Sequence, residues 1–187
     1  MKKNRGLIYG IVIGLILILL SLFVIGYRNI NLKYPKAVNE NYSIGEPVEY
    51  DGCEVCVKDY AILNKTEAMD EGYYVEDEEE YKILKCTLEV TNNSDSEKSP
   101  ELYYLEAESP VWHNGIDLEV IHNANKDGAS LCPTLGPKET TTVTIAFVMY
   151  QFQFTDLRWE QIEKDYIYIV FSLYPVKKYV VLQDKMF

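Results

Sequence analysis

The chain begins with one unbroken apolar run and continues as short segments in which apolar and polar residues alternate. The run covers residues 7–27, contains no charged side chain and follows the basic residues Lys2, Lys3 and Arg5. About 20 helical residues, at about 1.5 Å each, span the ~30 Å hydrocarbon layer of a bilayer. The pattern therefore predicts a single transmembrane helix over residues 7–27.

The basic residues beside this run predict its orientation. Three of them lie within the first five residues, whereas those after the run are spread over residues 28–36. Because basic residues favour the cytoplasmic side, residues 1–6 are predicted to be cytoplasmic and residues 28–187 to lie outside the cell membrane. A secretory signal has an apolar region of only about 7 to 15 residues, so we interpret the run as an uncleaved anchor. The alternative is secretion after cleavage near Gly26.

Small residues recur on one face of the predicted helix, at Gly6, Gly10 and Gly14, and Ser21 continues that face. Small side chains let two helices approach closely in lipid, where packing drives association. This spacing predicts a homodimer formed through the helix. The alternative interpretation is that glycine is simply common in transmembrane helices.

A polar stretch separates this helix from the rest of the chain. Residues 28–45 contain Pro35 and show no regular period, so they are predicted to be a spacer. The folded domain is then predicted to cover residues 46–187. Its abundance of Tyr, Val and Ile argues against long disorder, and about 160 residues are enough for one domain with a core.

Alternation and turn residues predict a series of short strands in this domain. The clearest covers residues 81–91, in which every second residue is apolar, so one face is predicted to be buried and the other hydrated. The buried face holds Leu84, Cys86, Leu88 and Val90. The other predicted strands are 46–51, 53–63, 102–113, 116–122, 140–150, 166–173 and 179–182.

The connections between these strands indicate the fold class. Asn114-Gly115 is a strong signal for a two-residue hairpin turn, here between the strands at 102–113 and 116–122. One short helix is predicted over residues 155–164. Because the strands do not alternate with helices, the sequence predicts an antiparallel β-sandwich of two layers, with a closed barrel as the alternative.

Three stretches in this order resemble a known family. They are Val90-Thr91-Asn92-Asn93-Ser94, the Asn114-Gly115 turn, and Leu135-Gly136-Pro137-Lys138-Glu139 before the strand that starts at Thr140. The chain resembles the immunoglobulin-like (telokin-like) extracellular domains of unknown function in membrane-anchored proteins of Gram-positive bacteria. The family usually has Leu-x-Pro-Gly-Glu at the last stretch, so Pro and Gly are exchanged here. The resemblance covers residues 43–182 and implies an immunoglobulin-like sandwich, with structural turns instead of sites.

Charge restricts the classes of partner. Residues 28–187 hold 15 basic and 29 acidic side chains, a formal charge of −14. Binding to nucleic acid or to an anionic membrane surface needs positive potential, so neither is predicted. The acidic residues between 70 and 80 lack the ligand spacing of a calcium loop and are interpreted as a solvated run. His113 and His122 have no recognisable catalytic or metal partners.

The four cysteines, Cys53, Cys56, Cys86 and Cys132, are the one grouping with potential site chemistry. A zinc or redox site on all four is an alternative, but zinc and redox pairs usually lie in turns or at helix starts, and Cys56 lies inside a predicted strand. Buried, unreactive thiols are the default interpretation. Outside the membrane a disulfide is permitted, and Cys53–Cys86 is the predicted pair.

No nucleophile, base and metal grouping is recognisable, so the sequence predicts a protein that is not an enzyme and needs no cofactor. The predicted function is a non-catalytic interaction module for an unidentified protein, peptide or wall component outside the cell. Tyrosine combines apolar area with a polar tip, which suits contact surfaces. The candidate contact residues are two adjacent pairs, Tyr73 with Tyr74 and Tyr103 with Tyr104.

Overall fold

In the computed structural model, which describes residues 3–75, 79–124 and 130–183, the first element is helix α1, Lys3–Lys33. Its segment Tyr9–Lys33 contains an 18-residue window with a mean hydropathy of 2.7 and is, within those ranges, the one helix long and apolar enough to cross a bilayer. The chain divides into two units, Met1–Val38 and Asn39–Phe187, and α1 makes up most of the first.

Regular elements replace most of the predicted spacer over residues 28–45. Helix α1 continues to Lys33, two residues before Pro35, because the residue that precedes a proline is disfavoured in helical conformation. Strand β1 then covers Val38–Ser43, so the folded unit begins earlier than the predicted residue 46. Five of the six β1 residues are exposed, which explains why no alternating pattern revealed this strand.

The described residues form eight further strands and three further α-helices. The strands are β2 (Pro47–Tyr50), β3 (Cys53–Asn64), β4 (Tyr81–Thr91), β5 (Glu106–Ser109), β6 (Trp112–Gly115), β7 (Thr140–Tyr150), β8 (Ile167–Ser172) and β9 (Val176–Gln183). The helices are α2 (Lys65–Asp70), α3 (Leu118–Ala124) and α4 (Asp156–Gln161), and 3-10 turns cover Leu102–Tyr104, Gln151–Gln153 and Ile162–Lys164. The predicted strands 81–91 and 140–150 are confirmed with the same bounds.

The strands form two sheets that pack into a β-sandwich, as the sequence predicts. One sheet has the order β1-β9-β8-β5-β6 and the other the order β2-β3-β4-β7. The pairs β2–β3, β3–β4, β4–β7, β5–β6, β5–β8 and β8–β9 are all antiparallel. The core between the sheets contains the predicted buried face of β4, with Leu84, Cys86, Leu88 and Val90 fully buried.

A second apolar layer covers part of the outer face of the four-stranded sheet. Ile83 on β4 and Val148 on β7 are fully buried there, although they point away from the main core. Helix α3 contributes Val120 and Ile121, and α2 contributes Ala68. This layer explains why β7 is buried on both faces over its last residues, since its odd positions face the core and its even positions face α3.

The predicted hairpin at Asn114-Gly115 is wrong. The turn lies at Pro110-Val111, where Ser109 pairs with Trp112, and proline suits this turn because its backbone angle is already fixed. The Asn114 side chain instead donates to the Val148 carbonyl oxygen at 2.9 Å and ties the end of β6 to β7. The predicted strand at 116–122 is also wrong, because residues 116–117 form a loop and residues 118–122 lie in helix α3.

The two ends of the sandwich are named here by their tyrosines. The Tyr50 end contains the β2–β3 turn, the 3-10 turn Leu102–Tyr104 and the β8–β9 turn, and the ring centroids of Tyr50 and Phe171 lie 5.8 Å apart. The Tyr150 end contains the β4–β7 pair Tyr81 and Tyr150, and residues 151–164 follow directly. The helix predicted over residues 155–164 lies in this segment as α4 and the adjoining 3-10 turn.

Candidate interaction site

The Tyr50 end exposes three large side chains around one cavity. Tyr104 is 66% exposed, Leu173 54% and Tyr174 53%. They line a cavity of 360 Å³ together with Glu106 and the end of β8. A volume near the lower limit for ligand pockets suits one or two side chains of a partner.

Buried neighbours hold these exposed side chains in place. In the 3-10 turn Leu102–Tyr104, Leu102 is fully buried, as is the following Leu105, so the turn is fixed to the core from both sides. The ring centroids of Tyr103 and Tyr104 lie 4.3 Å apart. Because Glu106 on β5 pairs with Val170 on β8, the β8–β9 turn is brought next to Tyr104.

A second cavity adjoins the first. It measures 320 Å³ and is lined by Glu49, Tyr50, Asp51 and Lys178, and it shares Phe171 and Ser172 with the cavity beside Tyr104. The Tyr50 hydroxyl donates to the Glu101 carbonyl oxygen at 2.8 Å, and the Glu101 amide donates to Asp51 at 3.1 Å. These bonds connect the β2–β3 turn to the 3-10 turn that carries Tyr104.

Negative charge at the Tyr50 end affects the titration of neighbouring groups. Burial, followed by the carboxylates of Asp51 and Glu101, raises the pKa of Tyr50 to about 12. A hydrogen bond to the adjacent tyrosine, and then one to Glu101, raises the pKa of Tyr103. Burial and the same two carboxylates raise the pKa of the Cys132 thiol. The surface therefore disfavours further negative charge.

The other predicted tyrosine pair divides between core and surface. Tyr73 is only 5% exposed and packs in the second apolar layer, where the Lys85 Nζ lies 5.7 Å from its ring centroid. Its predicted role in partner contact is therefore wrong, because the ring is not accessible. Tyr74 is 47% exposed. The pair follows α2 at the Tyr150 end, far from Tyr103 and Tyr104.

The predicted Cys53–Cys86 disulfide does not fit the strand register. Glu54 pairs with Thr91, whereas Cys86 pairs with Tyr60. Cys53 is thus more than five residues from Cys86 along the ladder, roughly 16 Å or more at about 3.3 Å per residue. A disulfide needs Cα atoms within about 7 Å. All four cysteines are free thiols.

The alternative metal or redox site on all four cysteines is not assembled either. Cys53 and Cys86 belong to the main core, whereas Cys56 lies on the opposite face of β3 from Cys53. Burial raises the pKa of Cys86, so its thiol is held in the unreactive form. Among the residues that the structure describes, no three His, Cys, Asp or Glu side chains are grouped to hold a metal ion.

The remaining predicted features lie apart from this surface or contribute a minor contact. His113 Nε2 lies 3.1 Å from the Glu106 carboxylate, and His122 lies on α3. Of the acidic run, Glu76, Asp77 and Glu78 fall outside the described residues.

On α1, a Cβ placed on Gly6, Gly10 or Gly14 meets nothing within 4 Å, so this face is open, and the helix dimer stays a prediction. The Ser21 hydroxyl donates to the Leu17 carbonyl oxygen.

Two packed sheets after an apolar helix define a β-sandwich domain with an N-terminal helical extension. Residues 36–178 match the family model described as a domain of unknown function, DUF5028. The chain belongs to this family. The match starts before β1 and ends inside β9 at residue 178, so it covers the sandwich except for the last residues of β9. The telokin-like part of the resemblance stays a prediction. None of the curated proteins matches this chain.

Several solved structures of uncharacterised proteins from Gram-positive bacteria are similar. A conserved hypothetical protein from Bacillus anthracis is 12% identical, and the match covers 69% of this chain and 88% of that one at a TM-score of 0.47. An uncharacterised β-sandwich protein from Clostridium difficile 630 is 13% identical, with 79% and 98% covered at 0.47. A functionally unknown protein from Listeria monocytogenes EGD-e is 13% identical, with 76% and 82% covered at 0.49. At these identities the likeness concerns the fold alone.

Proposed function

We propose that this protein is a non-catalytic interaction module, held in the cell membrane by α1, that binds a protein or another envelope component outside the cell. The observation that carries the proposal is the exposure of Tyr104, Leu173 and Tyr174 around one cavity at the Tyr50 end. Large apolar side chains with a polar tip are enriched in contact surfaces. Because the core fixes their backbone, little order has to be gained on binding.

Anchoring and orientation rest on α1 and its flanks. The helix is long enough to cross a bilayer, and the basic residues cluster before it. Protease added to intact cells is expected to digest the sandwich and to leave a membrane-bound fragment. Protection of the sandwich in intact cells, with digestion after lysis, would contradict this orientation. Recovery of the sandwich in the medium would support secretion after cleavage instead.

Binding is tested by crosslinking the full chain on whole cells and identifying what is captured. The variant carrying Tyr104→Ser with Tyr174→Ser is expected to lose most of the captured partner, since it removes both exposed rings. Its melting temperature is expected to stay within about 2 °C of the parent, because exposed side chains contribute little to stability.

Phe152→Ser is the matched control, because Phe152 is also an exposed aromatic residue but lies at the Tyr150 end. It is expected to leave capture unchanged. Equal capture by the Tyr104 and Tyr174 variant and the parent, or equal losses in both variants, would contradict the assignment of the Tyr50 end. Stoichiometric zinc or calcium in the purified chain would instead favour a metal-dependent site.

A further inference from the structure

The carboxylates around the exposed rings point to the chemistry of the partner. We infer that the Tyr50 end binds an extended peptide segment bearing lysine or arginine, with its cationic side chain on the Tyr104 and Tyr174 rings. This inference rests on the proposed function and specifies its partner. It is carried by charge complementarity between the rim of the two cavities and such a segment.

The rim of the two cavities is acidic. The residues lining them include the carboxylates of Glu49, Asp51 and Glu106 and one ammonium group, that of Lys178. Lys178 Nζ donates to the Glu49 carbonyl oxygen at 3.3 Å, so it does not pair with a lining carboxylate there. The Glu101 carboxylate lies next to the same turn and is hydrogen-bonded by Tyr103. Two further basic groups lie close by, since His113 Nε2 is 3.1 Å from the Glu106 carboxylate and Lys98 Nζ would lie 3.4 Å from a Cβ on Gly52 in the β2–β3 turn. The four carboxylates outnumber these two groups and Lys178, and this excess attracts cations and repels phosphates or acidic peptides.

The aromatic rings add a second attraction for a cation. A guanidinium or ammonium group within about 6 Å of a tyrosine ring centroid is stabilised by the ring, and more strongly where water is displaced. The same chain already shows this contact elsewhere, because Lys177 Nζ lies 5.3 Å from the Tyr168 centroid beside the Glu108 carboxylate. Within the described ranges no Lys or Arg lies over the Tyr104 or Tyr174 ring, so the partner supplies the cation for these two rings in the inferred complex.

The shape of the site favours a chain over a compact ligand. The two cavities have volumes of 320 Å³ and 360 Å³ and meet at Phe171 and Ser172. A segment lying across these two residues places one side chain in each cavity. In an extended segment, successive side chains point to opposite sides. Every second side chain of the partner is therefore expected to contact the surface.

The test uses the full chain in detergent micelles and a labelled peptide of alternating glycine and arginine, eight residues long. A peptide with citrulline in place of arginine keeps the shape and removes the charge. Fluorescence anisotropy is expected to show saturable binding of the arginine peptide that weakens with added salt, and at least about tenfold weaker binding of the citrulline peptide.

Two matched variants separate local from overall charge effects. Glu101→Gln with Glu106→Gln is expected to raise the Kd of the arginine peptide about three- to tenfold, the effect of removing two partly exposed charges. Glu119→Gln with Glu160→Gln removes the same total charge at exposed positions on α3 and α4, and is expected to leave the Kd within about twofold.

Equal binding of the arginine and citrulline peptides would overturn the inference, as would equal weakening in the two carboxylate variants. Saturable binding of neutral wall polysaccharide, lost in the Tyr104→Ser and Tyr174→Ser variant, would also overturn it and assign the surface to a glycan. In that case the proposed function still stands, because the same rings bind a partner. The proposed function falls if capture on cells is independent of Tyr104 and Tyr174, or if the Phe152→Ser control loses capture equally.

Discussion

Both ends of the sandwich are rich in aromatic side chains, but they pack them differently. At the Tyr150 end, the ring centroids of Trp112 and Phe154 lie 6.2 Å apart and those of Phe154 and Trp159 lie 5.8 Å apart. These three rings belong to or pack against the main core. At the Tyr50 end, Tyr104 and Tyr174 extend into solvent beside a cavity.

The difference comes from the chain that covers each end. Residues 151–164 fold over the Tyr150 end, where Arg158 binds both carboxylate oxygens of the buried Asp165 at 2.8 and 3.0 Å. Lys82 Nζ lies 5.1 Å from the Trp159 ring centroid and holds this segment to β4. At the Tyr50 end the β2–β3 and β8–β9 connections are short, and no segment covers the exposed rings of Tyr104 and Tyr174 among the described residues. Whether an aromatic residue packs in the core or is available for contact with a partner therefore depends on whether another segment of the chain packs over it.

The largest expected effect is Trp112→Ala at the Tyr150 end. Trp112 is buried and its ring nitrogen donates to Gln153 at 3.2 Å, so its removal leaves a cavity and is expected to cost about 3 to 5 kcal/mol in free energy of unfolding. Tyr104→Ala at the Tyr50 end is expected to change it by less than about 0.5 kcal/mol. Urea unfolding followed by circular dichroism measures the free energy of unfolding of both variants. Similar losses of stability would contradict the difference between the two ends.

Tyr73→Ser is expected to lower the free energy of unfolding by about 2 to 4 kcal/mol, because the ring fills the second apolar layer. Tyr74→Ser, the neighbouring change on an exposed ring, is expected to lower it by less than about 1 kcal/mol. Thermal melts of the two variants provide the measurement. A larger loss of stability for Tyr74→Ser than for Tyr73→Ser would show that the Tyr74 ring, and not the Tyr73 ring, packs in the second apolar layer.

Arg158→Met tests the cover over the Tyr150 end. It removes the Arg158 Nη1 group that donates to both carboxylate oxygens of the buried Asp165, and we expect a loss of about 1 to 2 kcal/mol in free energy of unfolding, reduced because the Arg158 side chain is 41% exposed. Lys178→Met at the Tyr50 end is the control and is expected to cost at most about 0.5 kcal/mol. Equal melting temperatures of the two variants would contradict the structural role of the Arg158–Asp165 pair.

The smallest effect concerns alkaline pH. Burial and nearby carboxylates raise the pKa of Tyr50 to about 12, above the unfolded value of about 10, so the folded state disfavours its ionisation. The stability that Tyr50 contributes is fully present below pH 10 and is lost as the pH rises from 10 to 12. The melting temperature of Tyr50→Phe is therefore expected to fall less between pH 9 and 11.5 than that of the parent. Equal decreases in the melting temperatures of Tyr50→Phe and the parent over this pH range would contradict the prediction.

Strands with one buried face could be predicted from the sequence, because burial imposes an alternation that is visible without any tertiary information. This holds for most of β4 and for the first half of β7, whose last residues are buried on both faces. Helix α3 could not be predicted in this way, because its apolar residues are few and fit a short strand equally well. Its start is determined by Asp117, whose side chain accepts the amides of Glu119 and Val120 at 3.1 and 3.0 Å. An aspartate directly before the run was the available signal for a helix start.

Part of the candidate interaction site could be proposed from the sequence. The adjacent residues Tyr103 and Tyr104 predict a contact surface, which stays a prediction, and the structure places both at the Tyr50 end. Leu173 and Tyr174 carry no local signal, because only the pairing of β5 with β8 brings them beside Tyr104. Strand order decides such neighbours, and alternation does not reveal strand order. The same limit explains the wrong disulfide, since the β3–β4 register determines which cysteines face each other.

Strand β1 has a mechanical consequence. It is the first element of the sandwich after α1 and the edge strand of its sheet, hydrogen-bonded to β9. Under the proposed function, a force between the membrane and a partner bound at the Tyr50 end acts first on β1. Because five of its six residues are exposed, β1 adds little to the core, and we expect it to separate from β9 before the rest of the sandwich unfolds. Its separation from β9 adds roughly 20 Å of extended chain at about 3.4 Å per residue, so β1 is expected to act as an extensible linker.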